Sequence, residues 1–206
     1  MDRRHFIGAL GLGALAMHGG AQAQAFPSRP ITLIAPSVPG GSTDIICRAM
    51  ADAVSRRLGV PVLVENKAGA GGSLGALALA SAKPDGHTVA LLPLATFRMP
   101  LMQKTAFDPL RDIAYVAGLG GFVFGLAVPA EAPYRTLKEL LDYGRKHPGE
   151  LTYGHAGIGS TPHLAVEELA LKTGVSLTAV PYKGSNEALA AVIGGQVAMM
   201  SGTTEF

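Results

Sequence analysis

Short β-type runs alternate with helical stretches along this chain, and this alternation is the feature that most restricts its fold. Ile31–Ala35 is a β-type run, and residues 45–58 carry an apolar stripe at helical spacing that Gly59 ends. Residues 62–64 then form a second β-type run. Because parallel strands joined by a helix pack as right-handed units, this order predicts an α/β protein with a parallel sheet.

The same order of elements starts again near residue 121, which predicts a second lobe. Residues 122–128 read as a strand, and Thr136 and Glu139 have the spacing of a capping box that begins the next helix. Further strands and helices alternate up to residue 200. We therefore expect a first α/β lobe at residues 26–120 and a second at residues 121–206, lying close together.

Two ends of the chain carry separate expectations. Residues 1–25 resemble a cleaved export signal, with Arg3 and Arg4 before an apolar stretch of about ten residues, too short for a bilayer that needs about twenty. The paired arginines favour the twin-arginine route, with the general secretory route as the alternative. At the other end, the chain stops six residues after Met200, where a further helix ordinarily follows, so we expect a C-terminally truncated sequence; a naturally short chain is the alternative.

Composition narrows the functional classes. The formal net charge is +2 and no run of Lys or Arg occurs, which argues against a nucleic-acid partner. Cys47 is the only cysteine, so no intrachain disulfide forms, and its place within an apolar helical stripe predicts a small buried hydrophobe rather than a reactive thiol.

Three loop-to-helix junctions share one design, in which glycines and small polar residues follow a strand and open a helix. The first junction contains Pro39, Gly40, Gly41, Ser42, Thr43 and Asp44; the second contains Ala70, Gly71, Gly72 and Ser73; the third contains Gly157, Ile158, Gly159, Ser160, Thr161 and Pro162. Helix N-termini carry free N–H groups and partial positive charge, so such junctions bind carboxylate or phosphate without a nearby cation. Plain capping is the competing interpretation, with Ser42 or Thr43 and Thr161 as N-caps and Pro162 at the first helical position.

Other chemistry is less well supported by the sequence. Residues 71–75 match G-x-S-x-G, so Ser73 with His155 or His163 and Asp85 is the alternative of an exported α/β hydrolase. The wider stretch 69–75 begins four residues after the β-type run at 62–64, and Leu74 stands where G-x-G-x-x-G needs its third glycine, which argues against a dinucleotide-binding loop. A hydrolase elbow has its serine directly after a strand, and Ser73 is not so placed. The two histidines have no third ligand at metal spacing, so we expect capping or orienting roles and no metal.

The chain resembles the Bug-type periplasmic solute-binding proteins of tripartite tricarboxylate transporters. The resemblance rests on ordered segments that include "FPSRPITLIAPSVPGGSTDIICR", "VLVENKAGAGGSLGALALASAKPDGHTVAL", "ELTYGHAGIGSTPHLAVEEL" and "VPYKGSNEALAAVIGGQVAMM". It implies a two-lobed fold that closes around a small organic acid, with no cofactor and no catalysis. It also implies a periplasmic location and membrane transporter subunits as partners, although a sensing role is equally compatible with the sequence.

The resemblance also implies which residues bind the ligand. The first and third junctions would act as pincers on one carboxylate, with His163 beside the third. Ala70, Gly71, Gly72 and Thr96 would line the first-lobe side, and Tyr182, Lys183 and Gly184 the second-lobe side. A solvated loop lysine is the alternative for Lys183. Arg98 is unusual after Thr96, and we expect it to be a candidate for recognising a second, distal carboxylate.

Overall fold

The computed structural model describes residues 25–203, and the expected export signal lies outside this range except for Ala25. Seven strands and six α-helices alternate within these residues, and all but one of the helices are predicted by the sequence. In chain order they are β1 (Ile31–Ala35), α1 (Ser42–Leu58), β2 (Val62–Asn66), α2 (Ser73–Ala80), β3 (Thr88–Ala90), α3 (Ala95–Met102), β4 (Phe124–Ala127), α4 (Leu137–Lys146), β5 (Thr152–His155), α5 (Thr161–Thr173), β6 (Thr178–Pro181), α6 (Ser185–Ile193) and β7 (Met199–Thr203).

The first sheet is parallel and has the strand order β2-β1-β3. Helix α1 ends at Gly59, which adopts the left-handed backbone conformation at φ 70° and donates its N–H to the carbonyl of Ser55. The buried face of α1 packs Cys47 and Ala51 against Leu33 of β1. Burial raises the pKa of the Cys47 thiol to about 11, so the expectation of an unreactive, buried cysteine is confirmed.

The second sheet has the order β4-β7-β5-β6, and only part of it is parallel. Strand β5 runs parallel to both β6 and β7, but β4 pairs antiparallel with β7, with Phe124 opposite Thr203. The expectation of purely parallel sheets is therefore wrong at this edge. An apolar pattern identifies a strand but does not show whether a partner about 75 residues away, here β7, runs parallel or antiparallel to it. An antiparallel edge strand is common on sheets that are otherwise parallel.

Helix α4 closes one face of the second sheet, and its start is the predicted capping box. The Thr136 hydroxyl accepts from the Glu139 N–H at 3.2 Å, and the Glu139 carboxylate accepts from the Thr136 N–H at 3.1 Å. The core beneath it is built around Tyr153, Leu151 and Met199, each at most 1% exposed. The two sheets thus have separate hydrophobic cores, while the lobe boundary near residue 120 stays a prediction.

Helix α3 was not expected from the sequence. It contains Pro100, which has no N–H to donate and ordinarily indicates a helix break. The helix is nevertheless anchored by the buried side chains of Ala95, Thr96 and Met99. Among residues 25–203, no helix is long and apolar enough to cross a membrane.

A substitution at Gly144 tests how tightly α4 packs. A Cβ at this position would lie 2.6 Å from Val175 Cγ1 and 2.7 Å from Leu151 Cδ1. We expect Gly144→Val to lower the free energy of unfolding by about 1–3 kcal/mol, because a side chain overfills the core. Gly118→Val is the control, since a Cβ there meets nothing within 4 Å. Equal urea midpoints for the two variants would contradict this packing.

Candidate functional site

The first junction begins α1 without a side-chain cap. Gly41 is the N-cap residue, with extended backbone at φ −73° and ψ 160°, and neither Ser42 nor Thr43 caps the helix, so that interpretation is wrong. The Asp44 carboxylate instead reaches back one turn and accepts from the Gly40 N–H at 2.9 Å. An acidic side chain at this position also opposes the positive end of the helix dipole, which favours its ionised form.

The Asp44 carboxylate is the centre of a buried polar network. It is 2% exposed and accepts hydrogen bonds from Arg48 Nε at 2.9 Å and Asn66 Nδ2 at 2.7 Å. Asn66 Nδ2 also donates to the carbonyl of Ser37 at 3.0 Å, so the network ties strand β2 to the loop after β1. The hydrogen bond from Arg48 is the largest of the effects that lower the pKa of Asp44 to about 2.

This network decides which N–H groups of the first junction remain available. The Gly40 N–H is used by Asp44, and the Gly41 N–H donates to the carbonyl of Val38 at 3.2 Å. In the part of the chain that the structure describes, the N–H groups of Ser42, Thr43 and Asp44 have no acceptor. Asp44 therefore contributes its backbone rather than its carboxylate to any ligand, and the exposed Pro39 and Gly40 shape the loop.

The second junction has an unusual backbone. Gly69, Ala70, Gly71 and Gly72 all have positive φ, at 119°, 47°, 63° and 94°. Among the described residues, Ala70 is the only non-glycine residue with a positive φ. A Cβ in this backbone conformation costs about 1 kcal/mol of strain. A Cβ on Gly72 would lie 2.5 Å from Pro93 Cγ, so only glycine fits between this turn and the loop after β3.

The third junction is held by two histidines. Ser160, not Thr161, is the N-cap of α5, and its hydroxyl accepts from the His163 N–H at 3.4 Å; the expectation of Thr161 as cap with Pro162 at the first position is wrong by one residue. His155 Nδ1 lies 2.9 Å from the carbonyl of Gly157, and the Gly159 N–H donates to His163 Nδ1 at 3.2 Å. The expected orienting role of both histidines is confirmed.

These contacts also fix the state of the His155 ring. Because its Nδ1 faces a carbonyl oxygen, Nδ1 carries the proton and Nε2 is left as an acceptor. The residue is fully buried, and burial is the main reason, with a further effect of nearby His163, that its pKa falls to about 4. The imidazole is therefore neutral where it supports the junction.

The two sheets meet through these junctions. A Cβ on Gly157 would lie 3.1 Å from the backbone nitrogen of Gly71, so the second and third junctions touch backbone to backbone. At another point, Asn186 Nδ2 donates to the carbonyl of Gly40 at 3.3 Å. A Cβ on the buried Gly184 would lie 3.1 Å from Val38 Cγ2, which places the loop between β6 and α6 against the residue that precedes the first junction.

A cavity of about 620 Å³ lies beside the contact of the second and third junctions. Its lining residues include four that the sequence predicts for the site, and these are Ala70, Gly157, Tyr182 and Lys183. Met99 and Met102 of α3 and Gln103, which follows the helix, complete one wall, which the sequence did not predict. The other predicted residues do not belong to the lining, so the structure does not bring every predicted residue to one cavity; they are the first junction, Gly71, Gly72, Thr96, Gly159, Ser160, Thr161, His163 and Gly184.

Four buried side-chain atoms find no hydrogen-bond partner within residues 25–203, namely Ser37 Oγ, Ser73 Oγ, Thr96 Oγ1 and His155 Nε2. Each belongs to the carboxyl end of a parallel strand or to the segment that follows it, on β1, β2, β3 and β5. Unpaired buried polar groups are rare and costly, and ligands of α/β sheets bind at this edge. Ser37 and His155 were missed as site residues because nothing in the sequence marks a side chain as unpaired.

The hydrolase triad is not assembled. The Ser73 hydroxyl contacts neither histidine, and Asp85 is engaged by Arg29 and His87 at the amino end of β3, the edge opposite Ser73. Within the described residues, no cluster of three or more metal-ligating side chains occurs either.

Two α/β sheets that face each other through helix-starting loops define the two-lobed fold of periplasmic binding proteins. Residues 46–205 match the family described as "Tripartite tricarboxylate transporter family receptor". The chain belongs to this family.

Relatives and solved structures agree with this assignment. A UPF0065 protein in the gbd 5' region of Cupriavidus necator is 46% identical over 98% of this chain, and Protein BugT of Bordetella pertussis is 37% identical over 85% of it. A structure described as a periplasmic transporter has a TM-score of 0.81 and 37% identity over 87% of this chain. MatC from Rhodopseudomonas palustris with bound malate has a TM-score of 0.79 and 35% identity over 86% of it. The chain spans 64% and 55% of the two relatives and 61% of each structure.

The Asp44 network makes a testable contribution to stability. Asp44→Ala leaves the Gly40 N–H, Asn66 and Arg48 without their shared acceptor, so we expect the free energy of unfolding to fall by about 2–3 kcal/mol. Asp52→Ala is the matched control, because it removes an exposed pair with Arg56 on the same helix and should cost less than about 1 kcal/mol. Urea unfolding of both variants at neutral pH measures the difference, and equal losses would show that the network is not structural.

Burial of neutral His155 predicts a pH dependence. The unfolded chain binds a proton on this residue near its ordinary pKa of 6.5, whereas the folded protein does so only near 4. The contribution of neutral His155 to the free energy of unfolding is therefore fully present above about pH 6.5 and is lost as the pH falls toward 4. We expect His155→Asn to flatten this part of the melting-temperature profile. A profile for His155→Asn parallel to that of the parent would contradict the assignment.

Proposed function

We propose that this chain is part of a periplasmic solute receptor that captures a small carboxylate between its two lobes and delivers it to a tripartite tricarboxylate-type transporter. The observation that carries the proposal is the collection of unpaired polar groups at the carboxyl ends of the strands. Three of the four are hydroxyls that can donate to a carboxylate, on Ser37, Ser73 and Thr96 of the first lobe, and the fourth, His155 Nε2 in the second lobe, is an acceptor.

The chemistry of the donors favours a carboxylate. The free N–H groups of Ser42, Thr43 and Asp44 point from the positive end of a 17-residue helix, where an anion is stabilised. Hydroxyls such as those of Ser73 and Thr96 donate readily to carboxylate oxygens. The Asp44 carboxylate, which would repel an anion, is already neutralised by Arg48 and withdrawn from the surface.

The contacts between the lobes support capture by closure. The second and third junctions meet through glycine backbone, and Asn186 reaches the first junction from the second sheet. A ligand enclosed there loses its water on both sides, which strengthens each hydrogen bond to it. Periplasmic location and membrane transporter subunits as partners are what the family membership supports, and export by the twin-arginine route rests on Arg3 and Arg4; all three belong to the same proposal.

A receptor role fits the site better than catalysis. No Ser–His pair forms at Ser73. The family is one of receptors, and MatC, one of the similar structures, contains bound malate. We therefore assign no catalytic residue to this chain.

Thr96→Val tests the proposed site, because valine keeps the shape of threonine and removes the unpaired hydroxyl. We expect affinity for the bound acid, measured by isothermal titration calorimetry, to fall about 3–10-fold. The melting temperature without ligand should stay equal or rise, since a buried unpaired group is removed. Thr88→Val, at the opposite end of the adjacent strand β3, is the control and should bind normally.

The ligand itself is found by thermal shift against monocarboxylates, dicarboxylates, aromatic acids and amino acids. A stabilising acid raises the melting temperature in proportion to the logarithm of its concentration above its Kd. The proposed function is wrong if no acid stabilises the protein and mass spectrometry of denatured protein releases none.

A further inference from the structure

Met102 is the only methionine among residues 25–203 whose side chain is exposed. The residue is 46% exposed, and it lines the cavity beside the second and third junctions, so a small molecule in that cavity has access to its side chain. The other four methionines of this range are buried or half-buried, and they are Met50, Met99, Met199 and Met200. Because oxidation of a side-chain sulfur follows its exposure, Met102 is the described methionine that an oxidant reaches most easily.

The sulfur of Met102 lies in a contact between elements of the two sheets. Met102 is the last residue of α3, which follows β3 of the first sheet, whereas the third junction follows β5 of the second. A Cβ on Gly159 would lie 3.0 Å from Met102 Sδ and 3.5 Å from its Cε, so the thioether packs directly on the backbone of this loop. An apolar and flexible side chain fills such an irregular gap well.

The N–H groups of the loop beside Met102 are already engaged. The Gly159 N–H donates to His163 Nδ1 at 3.2 Å, and the Ser160 N–H donates to the carbonyl of Gly157 at 3.2 Å. These two hydrogen bonds hold the shape of the third junction. A thioether suits this position, because it is only a weak acceptor and does not compete for either N–H group.

Oxidation turns this apolar sulfur into a strongly polar group. Hydrogen peroxide transfers one oxygen atom to the thioether: the O–O bond breaks, an S–O bond forms, the sulfur is oxidised by two electrons and the peroxide is reduced to water. The sulfoxide oxygen then needs a hydrogen-bond donor. It obtains one by taking the Gly159 or Ser160 N–H from its present acceptor, or by turning the side chain off Gly159 and into the water of the cavity. Either movement loosens the third junction.

We propose that Met102 is an oxidation site of this protein, and that its conversion to the sulfoxide loosens the third junction. The contact borders both the cavity and the start of α5, so the modification acts on a part of the molecule that the proposed function uses for capture. The inference itself needs no ligand. Its failure therefore leaves the proposed function intact.

Treatment of the folded protein with dilute hydrogen peroxide tests both steps. Peptide mass spectrometry follows the gain of one oxygen atom, and we expect Met102 to react at least about tenfold faster than the buried Met99, Met199 and Met200. Hydrogen exchange then reports on the backbone amides of residues 157–163. We expect these amides to exchange at least about threefold faster in the oxidised protein, because their hydrogen bonds open more often.

Three variants separate the effect of Met102 from general oxidative damage. Met102→Leu keeps an apolar side chain of similar volume without the sulfur, so peroxide should leave its exchange at residues 157–163 unchanged. Met102→Gln places a polar group of similar length there and should exchange faster without any oxidant. Met50→Leu, on α1, is the matched control and should respond to peroxide as the parent does.

Three results would each overturn the inference. The first is equal reaction rates for Met102 and the buried methionines, which would mean that the thioether is not accessible. The second is formation of the Met102 sulfoxide with unchanged exchange at residues 157–163. The third is an equal response to peroxide in Met102→Leu and the parent, which would place the loosening elsewhere.

Discussion

The buried Asp44 carboxylate is the constraint on which the first half of the site depends. One side chain accepts from a loop N–H, from an arginine on its own helix and from an asparagine on the neighbouring strand, and that asparagine in turn holds the loop carbonyl of Ser37. A loop rich in glycine has many conformations to lose on folding, and this network removes that freedom before any ligand arrives. It also leaves the N–H groups of the first helical turn as the free donors. Asp44 therefore both preorganises the loop and leaves these N–H groups free to donate to a ligand.

The second half of the site uses a different device for the same purpose. Two histidines, one at the end of β5 and one on α5, bind the carbonyl of Gly157 and the N–H of Gly159. Their hydrogen bonds hold the backbone at Gly157 and Gly159, where glycine alone would leave it flexible. Burial keeps the His155 ring uncharged, so the support is polar without adding a positive charge that would bind any anion indiscriminately.

Much of the fold follows from local sequence rules. The apolar periodicity, the Gly59 stop and the Thr136 capping box depend on neighbouring residues, and all three are present as predicted. The direction of β4 and the existence of α3 depend on partners far along the chain, and local rules missed them.

The site was likewise predictable only in part. The junctions were recognisable from glycines and small polar residues, but Gly41 and Ser160 as N-caps are visible only once the loops have their shape. The unpaired state of Ser37 and His155 is likewise a property of the packed structure.

Contact between the lobes and recognition of the ligand use different atoms in this protein. Where Gly71 meets Gly157, the lobes touch through backbone atoms, which leaves side chains for recognition. Closure of the lobes depends there on main-chain atoms and on the lack of a Cβ, so it imposes few demands on neighbouring side chains. Exposed side chains of the cavity lining, such as that of Gln103, can then change without disturbing this backbone contact. A scaffold of this kind can acquire a new ligand by exchanging a few side chains around an unchanged backbone contact, which makes it a good starting point for redesigning specificity.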